Sequence, residues 1–184
     1  MEEKIKTIGV LSANHFSAQL DRVRLRTGRL TERIRIEHPE AAAMIPFLDE
    51  RHIVMVRQWR YAIGEETVEI PAGKADHGEE IVSCAQRELE EETGYAADRF
   101  LPVSAYCPAI GYSNEVIHIF AAGGLKKSSR QLDVDEISKI EILHIDRVFD
   151  MILKGEIRDG KTIIGISLFL ARQKRGEIPA DFFK

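Results

Sequence analysis

The sequence predicts an α/β (α+β) fold. Three observations predict it. Short segments of alternating or continuously apolar residues recur from Val23 to Arg57 and from Leu101 to Ala121, separated by polar turns. A helical period runs through Ile81, Ala85 and Leu89, and two further helical segments close the chain, opening at Asp146 and Asp159. With 184 residues, 44% hydrophobic and 30% charged, the chain is long enough to bury a sizeable core.

No period stands out from Met1 to Gln19, so no regular element is expected there and the end is expected to be loosely held. Val23, Leu25 and Thr27 then alternate with Arg22, Arg24 and Arg26. After a turn at Gly28, Ile34 and Ile36 alternate with Arg33, Arg35 and Glu37, which predicts a hairpin of two amphipathic strands. Such a hairpin is marginal alone and must pack on something. Pro39 opens a second unit. The apolar runs Ala42 to Leu48 and Ile53 to Arg57, joined by the polar turn Asp49–His52, predict a second hairpin. It ends in Arg57-Gln58-Trp59-Arg60-Tyr61, a mixture suited to a purine and a phosphate: aromatic faces for stacking, guanidinium for anions. Val68 to Gly73 reads as a short strand in which Glu69, flanked by apolar residues, implies a hydrogen-bonding or ion-pair task.

A loop with Gly73 and Gly78 leads into a helix from about Glu79 to Thr93, closed by Gly94. Leu101 to Cys107 and Val116 to Ala121 read as strands around the loop Pro108–Glu115. Gly123 to Ser129 reads as a linker, Gln131 to Ile137 as an acidic loop, and Lys139 to His144 as a strand. Asp146 is placed as cap of a helix through Lys154, closed by Gly155. Asp159 is placed as cap of another, from about Lys161 to Arg175, whose core face is Ile163, Ile166, Phe169 and Leu170.

Composition excludes several classes. A net charge of −4 gives no general attraction to nucleic acid or anionic membrane, so neither is expected as a partner. The longest apolar runs, near residues 41–48 and 163–171, are much shorter than a bilayer span. The N-terminal residues are charged and lack the apolar centre of a signal peptide. Of two cysteines, Cys84 lies near the apolar side of the helix and reads as core rather than disulfide. The expected location is cytoplasmic. The six histidines show no metal-type spacing, and no internal repeat, P-loop or nucleophile elbow occurs.

The chemistry concentrates on the first helix. Glu88 and Glu92 are an i, i+4 pair beside the apolar stripe, and Glu91 lies one step further round. Three carboxylates crowd one side, towards the helix end where the dipole already disfavours negative charge. A hard cation converts that repulsion into coordination, and oxygen-only ligands point to Mg²⁺ or Mn²⁺. The run from Gly73 to Tyr95 fits Gly-x5-Glu-x7-Arg-Glu-U-x-Glu-Glu-x-Gly-U, U being bulky and apolar, through Gly73, Glu79, Arg87, Glu88, Leu89, Glu91, Glu92, Gly94 and Tyr95. At about 5–7% per specified residue, chance agreement is on the order of 10⁻⁹ per start site. The run resembles the Nudix box, complete and without a gap.

That resemblance implies a Nudix hydrolase with the Nudix fold, a mixed β-sheet sandwiched between helices, with residues 1–40 as an N-terminal β-extension and 41–184 as the Nudix hydrolase domain. It implies that Glu88, Glu91 and Glu92, joined by the Ala72 carbonyl, hold divalent ions, and that Glu79 and Arg87 keep the loop–helix–loop in shape. The segments Arg57–Tyr61, Val68–Lys74 and Gly155–Ile163 are similar to those of ADP-ribose pyrophosphatases. The similarity implies substrate contacts from Arg60 and Glu69; Arg57, from the basic and aromatic run, and Glu115, a candidate ligand for substrate or metal at a loop–strand junction, are further candidates. It also implies hydrolysis of a nucleoside diphosphate sugar, ADP-ribose first, to AMP and ribose 5-phosphate, by a homodimer built through the extension. Where many such enzymes carry a proline before a Gly-aromatic pair, this chain has Ile110 and places Pro108 two residues earlier. GDP-mannose or another nucleotide sugar therefore stays open as substrate, as does a non-catalytic nucleotide-sugar-binding regulator. In the acidic loop, where the resemblance implies a glutamate as catalytic base or extra metal ligand, Glu136 best matches the ligand position; Val134 stands where some relatives place the base. Asp133, Asp135, Glu136 or the box itself remain as alternatives for that role.

Overall fold

The computed structural model describes residues 1–13, 16–128 and 137–183, which divide into two compact units: residues 1–40 with 106–116, and residues 41–105 with 117–184. In the first, β1 (Glu3–Ala13), β2 (Phe16–Arg24) and β3 (Leu30–Glu37) form an antiparallel sheet in the order β1-β2-β3. The expected hairpin is β2–β3, with Leu20 opposite Ile34 and Ala18 opposite Ile36. Its turn needs a left-handed residue, and Gly28 supplies φ 85°. The expectation of no element before Gln19 is corrected by β1. Register shifts between Lys4 and Lys6 and between Thr7 and Gly9 break the two-residue alternation by which a strand is recognised.

Among the described residues the second unit holds two sheets and three helices. β4 (Ala41–Pro46), β7 (Ala72–Lys74), β8 (Tyr95–Tyr106) and β9 (Ile117–Lys127) form a mixed sheet in the order β7-β4-β9-β8, with β4 parallel to β9 and antiparallel to β7. An antiparallel sheet contains β5 (His52–Arg60), β6 (Glu65–Glu69) and β10 (Ile137–His144) in the order β10-β5-β6. The helices are α1 (Ile81–Thr93), α2 (Ile145–Leu153) and α3 (Gly160–Lys174). β4 is covered on both sides. Ala42 and Met44 pack with Cys84, Ala85 and Leu89 of α1, while Ile45 faces α3 at Gly165, where an added Cβ would lie 3.4 Å from it.

This two-sided burial gives the continuous apolar run read above, and it corrects the second hairpin. β4 and β5 belong to different sheets, joined across their turn by one isolated bridge, Phe47 to Ile53. A polar turn between apolar runs marks a change of direction without saying which sheet comes next. The predicted linker from Gly123 is largely strand, since β9 continues to Lys127. α2 is capped by His144, whose Nδ1 accepts from the Asp146 N–H at 3.2 Å, rather than by Asp146. Asp159 caps α3 as expected. Among the described residues no helix is long and apolar enough to cross a membrane.

Candidate active site

Glu69 ends β6, Ile70 and Pro71 make a step, β7 begins at Ala72, and a loop then leads into α1. The two edges of the site are therefore the β6–β7 step and the polar flank of α1. Glu92 is buried and its Oε2 accepts from the Ala72 N–H at 2.9 Å. Burial pushes its carboxyl up to about 8; the Ala72 N–H works against that rise and the neighbouring Glu88 charge adds to it. Glu88 lies against the backbone of β7: a Cβ placed on Gly73 would sit 1.8 Å from its Cδ, so only glycine leaves room for this carboxylate.

Arg87 gathers the remaining acids. Its Nε and Nη2 bond the two oxygens of Glu79 at 3.0 and 2.9 Å, its Nη1 bonds Glu88 Oε1 at 2.7 Å and Glu91 Oε2 at 2.9 Å, and Nη2 also bonds the Lys74 carbonyl at 2.9 Å. Hydrogen bonds from Arg87 and from the Asp76 N–H hold Glu79 at about 2. The same carboxylates, Glu79 foremost, push Arg87 above the ordinary arginine range. Burial raises the Cys84 thiol to about 12, which makes it packing material rather than a nucleophile.

The second cluster is built on one face of the β5–β6 pair. Gln58 stands opposite Thr67 and Arg60 opposite Glu65, so Arg60, Thr67 and Glu69 share a face. Glu69 is buried and receives Arg60 Nε at 2.7 Å, Thr67 Oγ1 at 2.5 Å, and both Arg60 Nη2 and Lys161 Nζ. Burial works to raise its carboxyl, but the two cations and Thr67 prevail and hold it at about 2. A cavity of about 530 Å³ opens here, lined by Arg60, Ile63, Thr67, Glu69, Arg158 and Asp159 among others.

The structure thus brings Arg60 together with Glu69, and Glu88 together with Glu92, Glu91 and the step at Ala72. It does not bring Arg57 to them. Arg57 points to the opposite face of β5, where it bonds Glu141 at 3.0 Å and lies 3.6 Å from Glu66 in a cross-strand ladder. Glu115 belongs to the N-terminal unit, its carboxylate 3.5 Å from His38 Nδ1. Glu136, with Asp133, Val134 and Asp135, lies outside the described residues. Sequence reading passed over Lys161 and Thr162, both buried. A signal existed: Lys161, Gly165 and Phe169 fall on one i, i+4 line of α3.

Among the described residues no three acidic, histidine or cysteine side chains converge into a ready cation site. The donor chemistry nevertheless fits a hard divalent cation. Glu92 is a carboxyl forced up by burial and by its neighbour, and the recess at Gly73 is shaped around the oxygens of Glu88.

Residues 37–164 match the family model described as NUDIX domain. The chain is 37% identical over 167 residues to a methanol dehydrogenase activator of Bacillus methanolicus, covering 90% of each chain. It is 34% identical over 169 residues to an ADP-ribose pyrophosphatase of Bacillus subtilis (strain 168), covering 90% of this chain and 91% of the relative. A crystal structure of an ADP compounds hydrolase superposes with a TM-score of 0.79 at 18% identity, covering 96% of this chain and 97% of that one; at that identity it speaks for the fold.

Proposed function

The chain belongs to the NUDIX domain family and is a Nudix pyrophosphohydrolase; from that premise we propose that it cleaves the pyrophosphate of a nucleoside diphosphate sugar, ADP-ribose first, into AMP and ribose 5-phosphate. The observation that carries this reading is the buried Glu92 beside Ala72, a carboxyl that burial and the neighbouring Glu88 charge push up to about 8. Glu88 and Glu92, with Glu91 and the Ala72 carbonyl, are the proposed ligands of Mg²⁺ or Mn²⁺. When bound, such ions offset phosphate charge and lower the pKa of the attacking water.

The chain's own residues do the rest. Arg87 fixes the helix flank by tying Glu88 and Glu91 to the Glu79 loop. Arg60 gives its Nε and one Nη2 hydrogen to Glu69 and lines the cavity, so that its remaining Nη hydrogens are preset for a phosphate or sugar oxygen. Arg57 is assigned to the sheet, given its ladder with Glu141 and Glu66. Glu115 is kept as a candidate ligand for substrate or metal, and Glu136 as a candidate for the extra metal ligand or the base. We propose a homodimer formed through the residue 1–40 extension. In support, its sheet places Leu11, Leu20 and Ile34 on one face with Leu11 and Ile34 exposed, while Lys4, Asp21 and Arg35 pair on the other. A cytoplasmic setting is part of the same proposal.

The test is a hydrolysis panel of ADP-ribose, GDP-mannose and other nucleotide sugars with Mg²⁺, products identified by chromatography, on the wild type, on Glu88→Gln and Glu92→Gln, and on the protein carrying both. ADP-ribose is expected to be cut fastest, with both variants nearly inactive. Wild-type turnover in the doubly substituted protein refutes the assignment. The likeness to a methanol dehydrogenase activator favours a second reading, activation of a methanol dehydrogenase. Assaying such a dehydrogenase with wild type and with Glu92→Gln tells whether any activation needs the hydrolase.

A further inference from the structure

At the start of α3, Asp159 lines the cavity beside Arg60 and Lys161 pairs with Glu69, while Thr162 turns to the backbone between Glu69 and Ala72. Ile70 and Pro71 form the step between β6 and β7. Pro71 has no N–H and its carbonyl accepts from the Met44 N–H at 2.9 Å; Ile70 is fully buried, so its N–H is a donor sealed from water. Thr162 Oγ1 accepts that N–H at 2.9 Å and donates to Asp159 Oδ2 at 2.6 Å, while the Thr162 N–H bonds the same oxygen at 3.0 Å. A hydroxyl has one proton to give, so donation to Asp159 turns its lone pairs to Ile70. Lys161, buried beside it, bridges Asp159 at 3.1 Å and Glu69, the residue before Ile70. Two residues beyond Ile70, the Ala72 N–H meets Glu92.

We propose that Thr162 is a positioning residue of the cation site: its hydroxyl fixes the Ile70–Ala72 step, and through it the Ala72 amide and carbonyl against Glu92. The inference rests on the reading that Glu88, Glu92 and Ala72 hold the divalent ion. It gives the Gly155–Ile163 segment a task remote in sequence from the box it serves.

Thr162→Val keeps the shape and removes the hydroxyl; Thr162→Ser keeps the hydroxyl. Mn²⁺ is titrated into each protein without nucleotide, free Mn²⁺ being followed by its paramagnetic resonance signal, and kcat and KM for ADP-ribose are measured at saturating Mg²⁺. Thr162→Val is expected to weaken Mn²⁺ binding on the order of tenfold, as for other residues that orient a metal ligand. It should lower kcat with KM changed by less than about twofold, and Thr162→Ser should restore both. A folded Thr162→Val protein with wild-type Mn²⁺ affinity and kcat, altered only in melting temperature, overturns the proposal. If that variant does not fold, Asp159→Ala frees the hydroxyl to rotate and should show a smaller loss in the same direction; unchanged Mn²⁺ binding there overturns it equally. Glu92→Gln separates the two layers. Undiminished Mn²⁺ binding in Glu92→Gln overturns the cation-site reading itself, and the proposal with it. Loss of Mn²⁺ there, with full binding in Thr162→Val, leaves the site standing and overturns the role of Thr162.

Discussion

Replacing Glu92 by glutamine in the metal-free protein exposes the electrostatic cost on which the site is built. The folded protein holds this carboxyl at about 8, against an ordinary value of 4.5. Because the folded value lies above the unfolded one, the folded state keeps a proton that the unfolded chain has already released between those pH values. The stability linked to that proton is complete below pH 4.5 and is lost as the pH rises through 8. The interval of 3.5 pH units (8 − 4.5), at about 1.36 kcal/mol per unit, sets a ceiling of about 5 kcal/mol, which water entry and relaxation reduce. Glutamine stands in for the protonated carboxyl, and its carbonyl can still accept from the Ala72 N–H. Urea unfolding in EDTA at pH 5, 7 and 9 should therefore find variant and wild type close at pH 5 and the variant ahead by several kcal/mol at pH 9. Millimolar Mg²⁺ should close the gap by stabilising the wild type alone, while turnover in Glu92→Gln falls by orders of magnitude. Parallel stability curves from pH 5 to 9 would refute the reasoning, because they would mean that Glu92 titrates alike folded and unfolded.

Gly73→Ala should cost turnover about as heavily as loss of Glu88, with a melting temperature close to wild type. The new Cβ, 1.8 Å from Glu88 Cδ, displaces the far end of a flexible side chain rather than backbone; kcat beside a thermal melt checks it. Glu69→Gln should lower stability at pH 7 and flatten the acid limb. Glu69 is held at about 2 against 4.5, so its contribution is present above 4.5 and lost as the pH falls through 2, about 3 kcal/mol over 2.5 pH units (4.5 − 2). Denaturant titrations from pH 2 to 7 read that difference directly. Leu11→Glu with Ile34→Glu, on one face of the N-terminal sheet, should convert a dimer to monomer in light scattering, and a wild type already monomeric would dismiss the dimer.

What could be read in the sequence was what is local in the chain. The box sets its own spacing, so α1, its left-handed end at Gly94 and the ion pair of Arg87 with Glu91 emerge from residues within one stretch. The Asp159 cap and the core positions Ile166 and Phe169 of α3 are likewise local. Partnership between distant segments was not legible. Nothing near Glu69 names Lys161, 92 residues away, and nothing near Ile70 names Thr162. The same limit misassigned β4 and β5 to one hairpin, since two fully buried runs look alike whichever sheet they join. Arg57 and Arg60 read as one basic, aromatic cluster, yet three residues along a strand put them on opposite faces.

α1 carries its acids where a helix tolerates them least. Its first residue has no side-chain cap, its last turn has no basic residue, and Glu90, Glu91 and Glu92 stand near the negative end of the dipole. Most of that charge is answered locally. Arg87 takes Glu88 and Glu91, the Ser128 hydroxyl donates to Glu90 at 2.8 Å, and Gly94 closes the helix with its N–H on the Glu90 carbonyl. Cys84, Ala85 and Leu89, packed on Ala42, Met44, Phe120 and Ala122, anchor the opposite face in the core. Among the described residues Glu92 receives a backbone N–H and no salt bridge. The imbalance of the whole helix is thereby concentrated on one buried carboxyl, which can be relieved by a proton or by a cation. At neutral pH those two compete for the same oxygens, so cation binding should release a proton, and the release should vanish in Glu92→Gln.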